Sequence, residues 1–317
     1  MNNIISFFKL IRFNNLIIVA LTQLIIKFRL INPFLDNFIL SNNQFYILVL
    51  ATIFITASGY IINDIYDVKT DKVNKENSRI IGKSITSRNA ITWYILFNLL
   101  GLGLGIYIAY AVKKPYFSLI FIYCIFSLWA YSKRMKTSFL LGNVQVSFLT
   151  ALAIFNVALF DMIPNGINKT NNEFMIFKII LCYTAFAFII TFIREIIKDM
   201  EDMEGDQKIN ANTLAIKYGI EKTRKIIVFL ILIPVFGIAY FQYNALISNF
   251  FVELNYSMEN LITVLYISLI QFLLIILLVK MNKSNKKSDF YFSSSLCKVI
   301  MIVGILSIPL FTYLQLN

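Results

Sequence analysis

Long apolar stretches alternate with short polar and basic segments along almost the whole chain of 317 residues. Most stretches reach or exceed the roughly 20 apolar residues with which an α-helix crosses a bilayer. Runs of this length predict membrane-spanning helices, and the pattern therefore predicts an all-α, polytopic membrane helical bundle of about nine transmembrane helices. The predicted spans are residues 4–32, 44–63, 87–112, 115–132, 139–161, 173–198, 222–246, 258–281 and 290–315.

The first span differs from the others because charged residues interrupt it. Arg12, Lys27 and Arg29 break the apolar run, and no small-residue cleavage site follows them. We therefore expect a retained first helix rather than a cleaved signal peptide. No long polar linker or clear internal repeat separates the spans, so residues 1–317 are predicted to form a single transmembrane domain.

The composition agrees with a membrane protein and excludes several kinds of chemistry. The chain is 58% hydrophobic and only 15% charged, whereas soluble domains average about 25% charged residues. It has no histidine, which excludes a Ser-His-Asp triad and histidine-ligated metals. The three cysteines lie in apolar stretches without a CxxC pair, which argues against a disulfide framework or a zinc site.

Basic residues are distributed unevenly between the two sides of the predicted bundle. The side that carries the N-terminus has 22 of the 29 Lys and Arg residues, the other side has six, and Lys298 lies inside a span. This asymmetry predicts that the basic side is cytoplasmic. The net charge of +12 does not indicate nucleic acid, because the basic residues lie between spans rather than along one polar face. Membrane lipids and phosphate-bearing ligands are the expected partners.

Two acidic clusters stand at the cytoplasmic ends of predicted spans and hold seven of the 17 carboxylates. Their residues are Asn63-Asp64-x-x-Asp67-x-x-x-Asp71 and Glu195-x-x-x-Asp199-x-x-Asp202-x-x-x-Asp206. On a helix with about 100° per residue, the carboxylates of each cluster fall on one stripe roughly 60° wide, with Glu204 on the far side. Like charges at this spacing repel one another, so we expect the clusters to face each other at one membrane edge with a cation between them.

The residue types around the clusters indicate which ligands they bind. Carboxylates without histidine or cysteine favour a hard cation, and Mg²⁺ is typically held by one or two carboxylates together with substrate phosphates. Basic residues next to the clusters supply the complementary charge for phosphate. They are Lys72, Lys75, Arg79, Lys83, Arg194 and Lys198. Acidic and basic residues side by side predict a metal-bridged diphosphate site.

Further polar residues lie in or near the spans and are weaker candidates. Arg12 and Asn15 occur in the first span. Tyr131 and Lys136 either contact the phosphate or the reacting carbon, or anchor the chain at the membrane interface. Asn143 lies well inside a span, where it packs against a partner helix or the site.

These motifs resemble those of the UbiA superfamily of intramembrane prenyltransferases. The run from Asn63 to Asp71 matches the superfamily's NDxxDxxxD motif, and the run from Arg194 to Asp206 is similar to its second aspartate-rich motif. The two motifs are about 130 residues apart, as in the superfamily. The Arg12-x-x-Asn15 pair and the Tyr131, Lys136, Gly142-Asn143 segment also fit, so the resemblance covers essentially the whole chain.

The resemblance implies a reaction and a set of site residues. Members bind a polyprenyl diphosphate through Mg²⁺ held by both motifs, and loss of diphosphate leaves an allylic carbocation that an acceptor attacks. The implied catalytic residues are Asp64, Asp67, Asp71, Asp199, Asp202, Asp206, Lys136 and Tyr131. The implied substrate-binding residues are Asn15, Arg12, Asn63, Lys72, Arg79, Lys83, Asn143, Arg194 and Lys198. The implied metal ligands are Asp64, Asp67, Asp71, Glu195, Asp199, Asp202 and Asp206.

The motif wording is most similar to that of geranylgeranylglycerol-phosphate geranylgeranyltransferases, which implies a prenylglycerol phosphate acceptor and a bacterial or archaeal-type cell membrane. Many members have proline shortly after the first motif, whereas Glu76 follows Lys75 and Ile80 follows Arg79 here. An aromatic acceptor of the 4-hydroxybenzoate, naphthoate or haem type therefore stays open. An ion-coupled transporter is the alternative from another class, although transporter sites lie near the membrane midplane between repeats.

Overall fold

The computed structural model describes residues 3–35, 39–74, 80–167, 171–208, 210–247 and 258–316. Over these residues the chain is almost entirely helical, with short 3₁₀ and π turns. The helices are α1 (Asn3–Leu10), α2 (Phe13–Ile25), α3 (Asn42–Asn74), α4 (Ser87–Ala111), α5 (Ser118–Lys133), α6 (Leu141–Asp161), α7 (Asn171–Glu201), α8 (Met203–Lys208), α9 (Leu214–Ile247), α10 (Met258–Lys283) and α11 (Lys287–Leu316).

The predicted membrane bundle is confirmed. Within the described part of the chain, nine helical segments are long and apolar enough to cross a membrane, one at each predicted span. Large apolar side chains also point outward. Phe229 and Phe236 on α9 are each 66% exposed, which suits lipid-facing positions. The chain is therefore an integral membrane protein.

The chain divides into two compact units. The first unit comprises residues 1–145 and 152–181, and the second comprises residues 146–151 and 182–317. In the first unit α3 packs against α2, α4 and α5, and in the second unit α10 packs against α9 and α11. The first acidic motif belongs to the first unit and the second motif to the second unit.

Helix α3, which carries the first motif, packs closely against α4. A Cβ atom at Gly101 of α4 would lie 2.6 Å from Cγ1 of Ile55 and 3.2 Å from the carbonyl oxygen of Ala51, both on α3. Small residues allow such close approaches between membrane helices, where packing rather than the hydrophobic effect drives association. Gly101 therefore lets α3 and α4 approach closely.

The first span is interrupted, although residues 4–32 are predicted to form one helix. Arg12 adopts the left-handed conformation with φ 51° and ψ 53°, and this residue separates α1 from α2. A six-residue π-helical turn, Ile26–Ile31, follows α2. Two helical segments and a wider turn therefore replace the one continuous helix that residues 4–32 predict.

The π turn carries Lys27 into a buried ion pair that the sequence pattern does not reveal. Lys27 Nζ lies 2.5 Å from Oδ2 of Asp161, and neither side chain is exposed. Oδ1 of Asp161 accepts hydrogen bonds from the backbone N–H groups of Leu40 and Ile39, at 2.8 and 3.2 Å. Nζ of Lys27 also donates to the carbonyl of Leu40 at 3.3 Å. This pair joins the π turn, the entry to α3 and the last residue of α6.

Candidate active site

The first acidic motif lies on the last turns of α3. The helix is continuous from Asn42 to Asn74, so Asp64 and Asp67 lie on one face, one turn apart, as the sequence predicts. The predicted stripe also includes Asp71, whose backbone continues this helix. The side chains of Asp71 and Lys72, and all of Lys75 and Arg79, lie outside the described residues. Lys83 is exposed in the turn before α4.

Basic side chains from two other segments meet the first motif, which also holds the amide of Asn63. Lys136 Nζ donates to Oδ1 of Asp67, and Asn63 Nδ2 donates to Oδ2 of the same carboxylate at 3.0 Å. Arg12 NH2 donates to Oδ1 of Asp64 at 3.2 Å. The side chains of Asp64 and Asp67 are 20% and 19% exposed, so a ligand in water can reach them. The structure thus brings together five of the predicted site residues.

Arg12 and Asn15 approach the motif across the side chain of Tyr60. The guanidinium carbon of Arg12 lies 4.7 Å from the centroid of the Tyr60 ring. Asn15 Nδ2 donates to the hydroxyl of Tyr60 at 3.3 Å. Tyr60 is absent from the residues that the sequence motifs identify. Its position one turn before Asp64 is the only sequence signal that points to it.

Lys136 reaches Asp67 because of the tight connection between α5 and α6. After α5 the chain makes a 3₁₀ turn, Met135–Thr137, and then a left-handed residue, Leu140, at φ 55°. A Cβ atom at Gly142 would lie 2.8 Å from the carbonyl oxygen of Met135 and 2.9 Å from Cα of Lys136. Glycine therefore lets the first turn of α6 pack directly on the backbone of Lys136.

Two further predicted site residues, Tyr131 and Asn143, lie on either side of the connection between α5 and α6. Tyr131 lies in the last turn of α5, two residues before the end of that helix. Asn143 lies in the first turn of α6 and is 7% exposed, which agrees with its predicted packed position.

The second acidic motif does not follow one continuous helix, so the prediction of a single stripe is wrong beyond α7. Helix α7 ends at Glu201 and α8 begins at Met203. The carbonyl of Asp202, between them, accepts hydrogen bonds from the N–H groups of Gly205 and Asp206 at 2.9 and 3.0 Å. A carboxylate is favoured just before a helix, which is the position that Asp202 occupies relative to α8. Glu195 and Asp199 both lie on α7, one turn apart, so they share one helix face as the sequence predicts.

Glu195 lies against two of the predicted phosphate-binding residues. Arg194 donates through NH1 to Oε1 of Glu195, and Lys198 Nζ lies 3.7 Å from Oε2. The Glu195 side chain is 9% exposed. Nε of Arg194 is buried and has no hydrogen-bond partner among the residues that the structure describes. Glu195 thus holds two cationic side chains, those of Arg194 and Lys198, near the end of α7.

The donor set of the first motif fits Mg²⁺. No group of three His, Cys, Asp or Glu side chains within the described ranges is placed to hold a metal ion by itself. Mg²⁺ does not require such a group, because it is usually bound by one or two carboxylates plus substrate phosphates and water. Asp64 and Asp67 supply two carboxylates on one helix face. The adjacent Arg12 and Lys136 carry the charge that phosphate needs.

Comparisons with known proteins agree with these motifs. Residues 35–296 match the UbiA prenyltransferase family. The chain is 31% identical over 203 residues to digeranylgeranylglyceryl phosphate synthase of Sulfurisphaera tokodaii, covering 62% of this chain and 68% of that protein. It is 34% identical over 172 residues to the synthase of the same name from Saccharolobus solfataricus, covering 54% and 56%. The alignments thus span a little over half to about two thirds of these relatives.

Solved structures show the same fold over nearly the whole chain. A structure of digeranylgeranylglyceryl phosphate synthase has a TM-score of 0.65 at 24% identity, covering 98% of this chain and 99% of that chain. A UbiA homologue from Archaeoglobus fulgidus, bound to GPP and Mg²⁺, has a TM-score of 0.56 at 18% identity, covering 96% and 99%.

The fold is a helical membrane bundle with acidic and basic side chains at its helix ends, which fits the class of intramembrane prenyltransferases. The chain belongs to the UbiA prenyltransferase family, as the match over residues 35–296 shows. The predicted resemblance to this family is confirmed, and its matched relatives include proteins named digeranylgeranylglyceryl phosphate synthase.

Replacing Gly142 with alanine is expected to lower kcat/KM for prenyl transfer by roughly ten- to a hundredfold, because small displacements of site residues are costly. The new methyl group would contact backbone atoms of Met135 and Lys136, which no rotamer change relieves. We also expect about 1–3 kcal/mol of destabilisation, measured by thermal unfolding.

Gly103→Ala on α4 is the matched control, because a Cβ atom there meets nothing within 4 Å. This variant should keep full activity and gain up to about 1 kcal/mol from helix propensity. If Gly142→Ala and Gly103→Ala had the same kcat/KM and the same stability, the contact between α6 and the Lys136 segment would not be important for the site.

Proposed function

We propose that this chain transfers a polyprenyl group, of the geranylgeranyl type, from its diphosphate to a prenylglycerol phosphate and releases diphosphate. The observation that carries this proposal is the pairing of Asp64 and Asp67 with Arg12 and Lys136 at one end of an apolar helix. Acidic and basic side chains in contact suit a ligand that combines Mg²⁺ with phosphate. The names of the relatives supply the acceptor class.

We propose that both motifs contribute to binding of the donor. Bound Mg²⁺ supplies positive charge that stabilises diphosphate as a leaving group. The proposed ligands are Asp64, Asp67, Asp71, Glu195, Asp199, Asp202 and Asp206. The proposed substrate-binding residues are Arg12, Asn15, Asn63, Lys72, Arg79, Lys83, Asn143, Arg194 and Lys198, of which Arg12 and Asn15 contact the diphosphate. Lys136 is a proposed catalytic residue.

Transfer breaks the bond between C1 of the prenyl chain and the diphosphate oxygen, and the electron pair leaves with diphosphate. A hydroxyl oxygen of the acceptor forms the new bond to C1, and its proton passes to the released diphosphate. Lys136 and Arg12 neutralise the charge that develops on the leaving group, which is the type of electrostatic stabilisation that lowers such barriers. Tyr131 is proposed to face the reacting carbon.

We propose a cytoplasmic active site within a single prenyltransferase domain. The excess of Lys and Arg on the side of the acidic motifs supports this orientation. The family match extends without interruption from residue 35 to residue 296 and so includes parts of both compact units. This continuity supports one functional domain.

The test is a direct assay of the purified protein in detergent or nanodiscs. Isotope-labelled geranylgeranyl diphosphate is supplied with geranylgeranylglyceryl phosphate, 4-hydroxybenzoate or a naphthoate, and the products are identified by mass spectrometry. We expect transfer to the glycerol phosphate lipid, with diphosphate released in equal amount, and loss of turnover when EDTA removes Mg²⁺. Transfer only to an aromatic acceptor, or turnover without a divalent cation, would overturn the proposal.

A further inference from the structure

Tyr60 lies where the two donor-binding candidates of the first span meet the acidic helix. The residue is on α3, one turn before Asp64, and its half-buried ring packs against an apolar cluster in which residues of the α1–α2 corner meet residues of α3 and α4. Two polar side chains contact Tyr60, one at the face of its ring and the other at its hydroxyl. The ring lies under the guanidinium of Arg12, and the hydroxyl accepts a hydrogen bond from Asn15.

These contacts constrain Arg12 and Asn15 in ways that the backbone alone does not. Arg12 stands at the corner between two helices in a left-handed conformation that non-glycine residues adopt at a cost of about 1–2 kcal/mol. A long, partly exposed arginine at such a corner has many accessible rotamers. Stacking on an aromatic face is worth about 0.5–2 kcal/mol and selects one orientation of the guanidinium plane.

The selected orientation suits a ligand with several oxygen atoms. The contact with Asp64 uses one of the five N–H donors of the Arg12 guanidinium, which is a planar, forked group well matched to phosphate. The Tyr60 hydroxyl accepts from Asn15, so the Asn15 amide is held at the same edge of α3. One side chain thus contacts two side chains from the α1–α2 corner and the start of α2.

We propose that Tyr60 is a positioning residue that holds Arg12 and Asn15 in the orientation in which they bind the diphosphate of the prenyl donor. This inference rests on the proposed function, in which Arg12 and Asn15 contact that diphosphate. It assigns two separate tasks to Tyr60. The ring orients Arg12 and the hydroxyl orients Asn15.

Two substitutions separate these tasks. Tyr60→Phe keeps the ring and removes the hydroxyl, whereas Tyr60→Leu removes both. We expect Tyr60→Phe to raise the donor KM about fivefold, the usual effect of one hydrogen bond. Tyr60→Leu should raise it roughly thirtyfold, because the contact with Arg12 is lost as well. The acceptor KM should stay within about twofold of the wild-type value for both variants, since neither lost contact involves the acceptor.

A double-mutant cycle distinguishes positioning from general packing. In an Asn15→Ala background, the hydroxyl of Tyr60 has no amide to hold, so adding Tyr60→Phe should leave the donor KM unchanged. The matched control is Tyr46→Phe, at the other end of α3, where the ring lies beside Phe28. This control should leave both KM values and kcat unchanged.

The outcomes separate this inference from the proposed function. Wild-type protein that transfers no prenyl group to any acceptor overturns both. If the wild type is active, a Tyr60→Phe effect of the same size with and without Asn15 overturns the positioning role alone. The same holds if Tyr60→Leu lowers kcat and stability while the donor KM stays unchanged, because that result is typical of a packing residue.

Discussion

Replacing Asp64 with alanine is expected to abolish Mg²⁺-dependent prenyl transfer, with kcat/KM falling at least about a thousandfold. The carboxylate lies on the same helix face as Asp67 and next to Arg12, where it serves the proposed metal and diphosphate. Asp202→Ala, in the second motif, should cause a loss of the same order. Initial rates over a range of Mg²⁺ concentrations measure both effects.

Companion variants show whether the loss at Asp64 comes from the metal site. Asp64→Glu keeps the charge and should recover part of the activity at high Mg²⁺. Arg12→Gln removes the ion pair but keeps the carboxylate, so it should raise the donor KM and leave the Mg²⁺ dependence near that of the wild type. Glu221→Ala, at an exposed pair with Lys225, should be fully active. Wild-type turnover by Asp64→Ala would refute the proposed site.

Removing one partner of the buried Lys27–Asp161 pair is expected to lower the free energy of unfolding by about 3–5 kcal/mol. Lys27→Met leaves the Asp161 carboxylate buried, with the N–H groups of Ile39 and Leu40 as its remaining donors among the residues that the structure describes. Asp161→Asn removes the carboxylate that lies 2.5 Å from the buried Lys27 ammonium. Unfolding in detergent, followed by far-UV circular dichroism, measures both changes.

The double variant Lys27→Met/Asp161→Asn tests whether the two charges act as a pair. It removes both charges and keeps an oxygen that accepts from Leu40, so its stability should lie within about 2 kcal/mol of the wild type. Lys225→Met, at the exposed pair with Glu221, should change stability by less than about 1 kcal/mol. If the losses of the single variants simply add in the double variant, the pair is not coupled.

The Lys27 variants should keep their kcat below the unfolding temperature. The Lys27–Asp161 pair lies at the start of α3 and Asp64 near its end, roughly 33 Å apart along the helix from Asn42. The pair thus stabilises the first unit at the membrane side opposite the first motif. This separation distinguishes its effect from that of Asp64→Ala, which removes activity without requiring a loss of stability.

Much of the fold could be predicted because it depends on local patterns. The nine spans follow from runs of apolar residues, and α4 and α5 each end within about one residue of the predicted spans. The pairing of Asp64 and Asp67 on one helix face also follows from spacing along α3. Each of these inferences concerns residues close together in sequence.

Other features were not visible in the sequence, and each involves the backbone leaving regular geometry. The spacing of Glu195 and Asp206 predicts one stripe, but α7 ends at Glu201 and the chain turns at Asp202. The left-handed residue at Arg12 and the π turn that buries Lys27 likewise interrupt a run that reads as one helix. Periodicity assumes a regular helix and therefore fails where the helix is broken.

The sequence by itself determined the membrane bundle, the two acidic motifs and the family, because run length and motif spacing are properties of contiguous residues. The tertiary structure decided which charged residues meet. Arg12 pairs with Asp64 from 52 residues away, Lys136 with Asp67 from 69 and Lys27 with Asp161 from 134. Such pairs depend on how closely helices pack. At Gly142, for example, the absence of a Cβ atom lets α6 pack directly against the backbone of Lys136. Local pattern does not encode these distances, since they result from contacts among several helices.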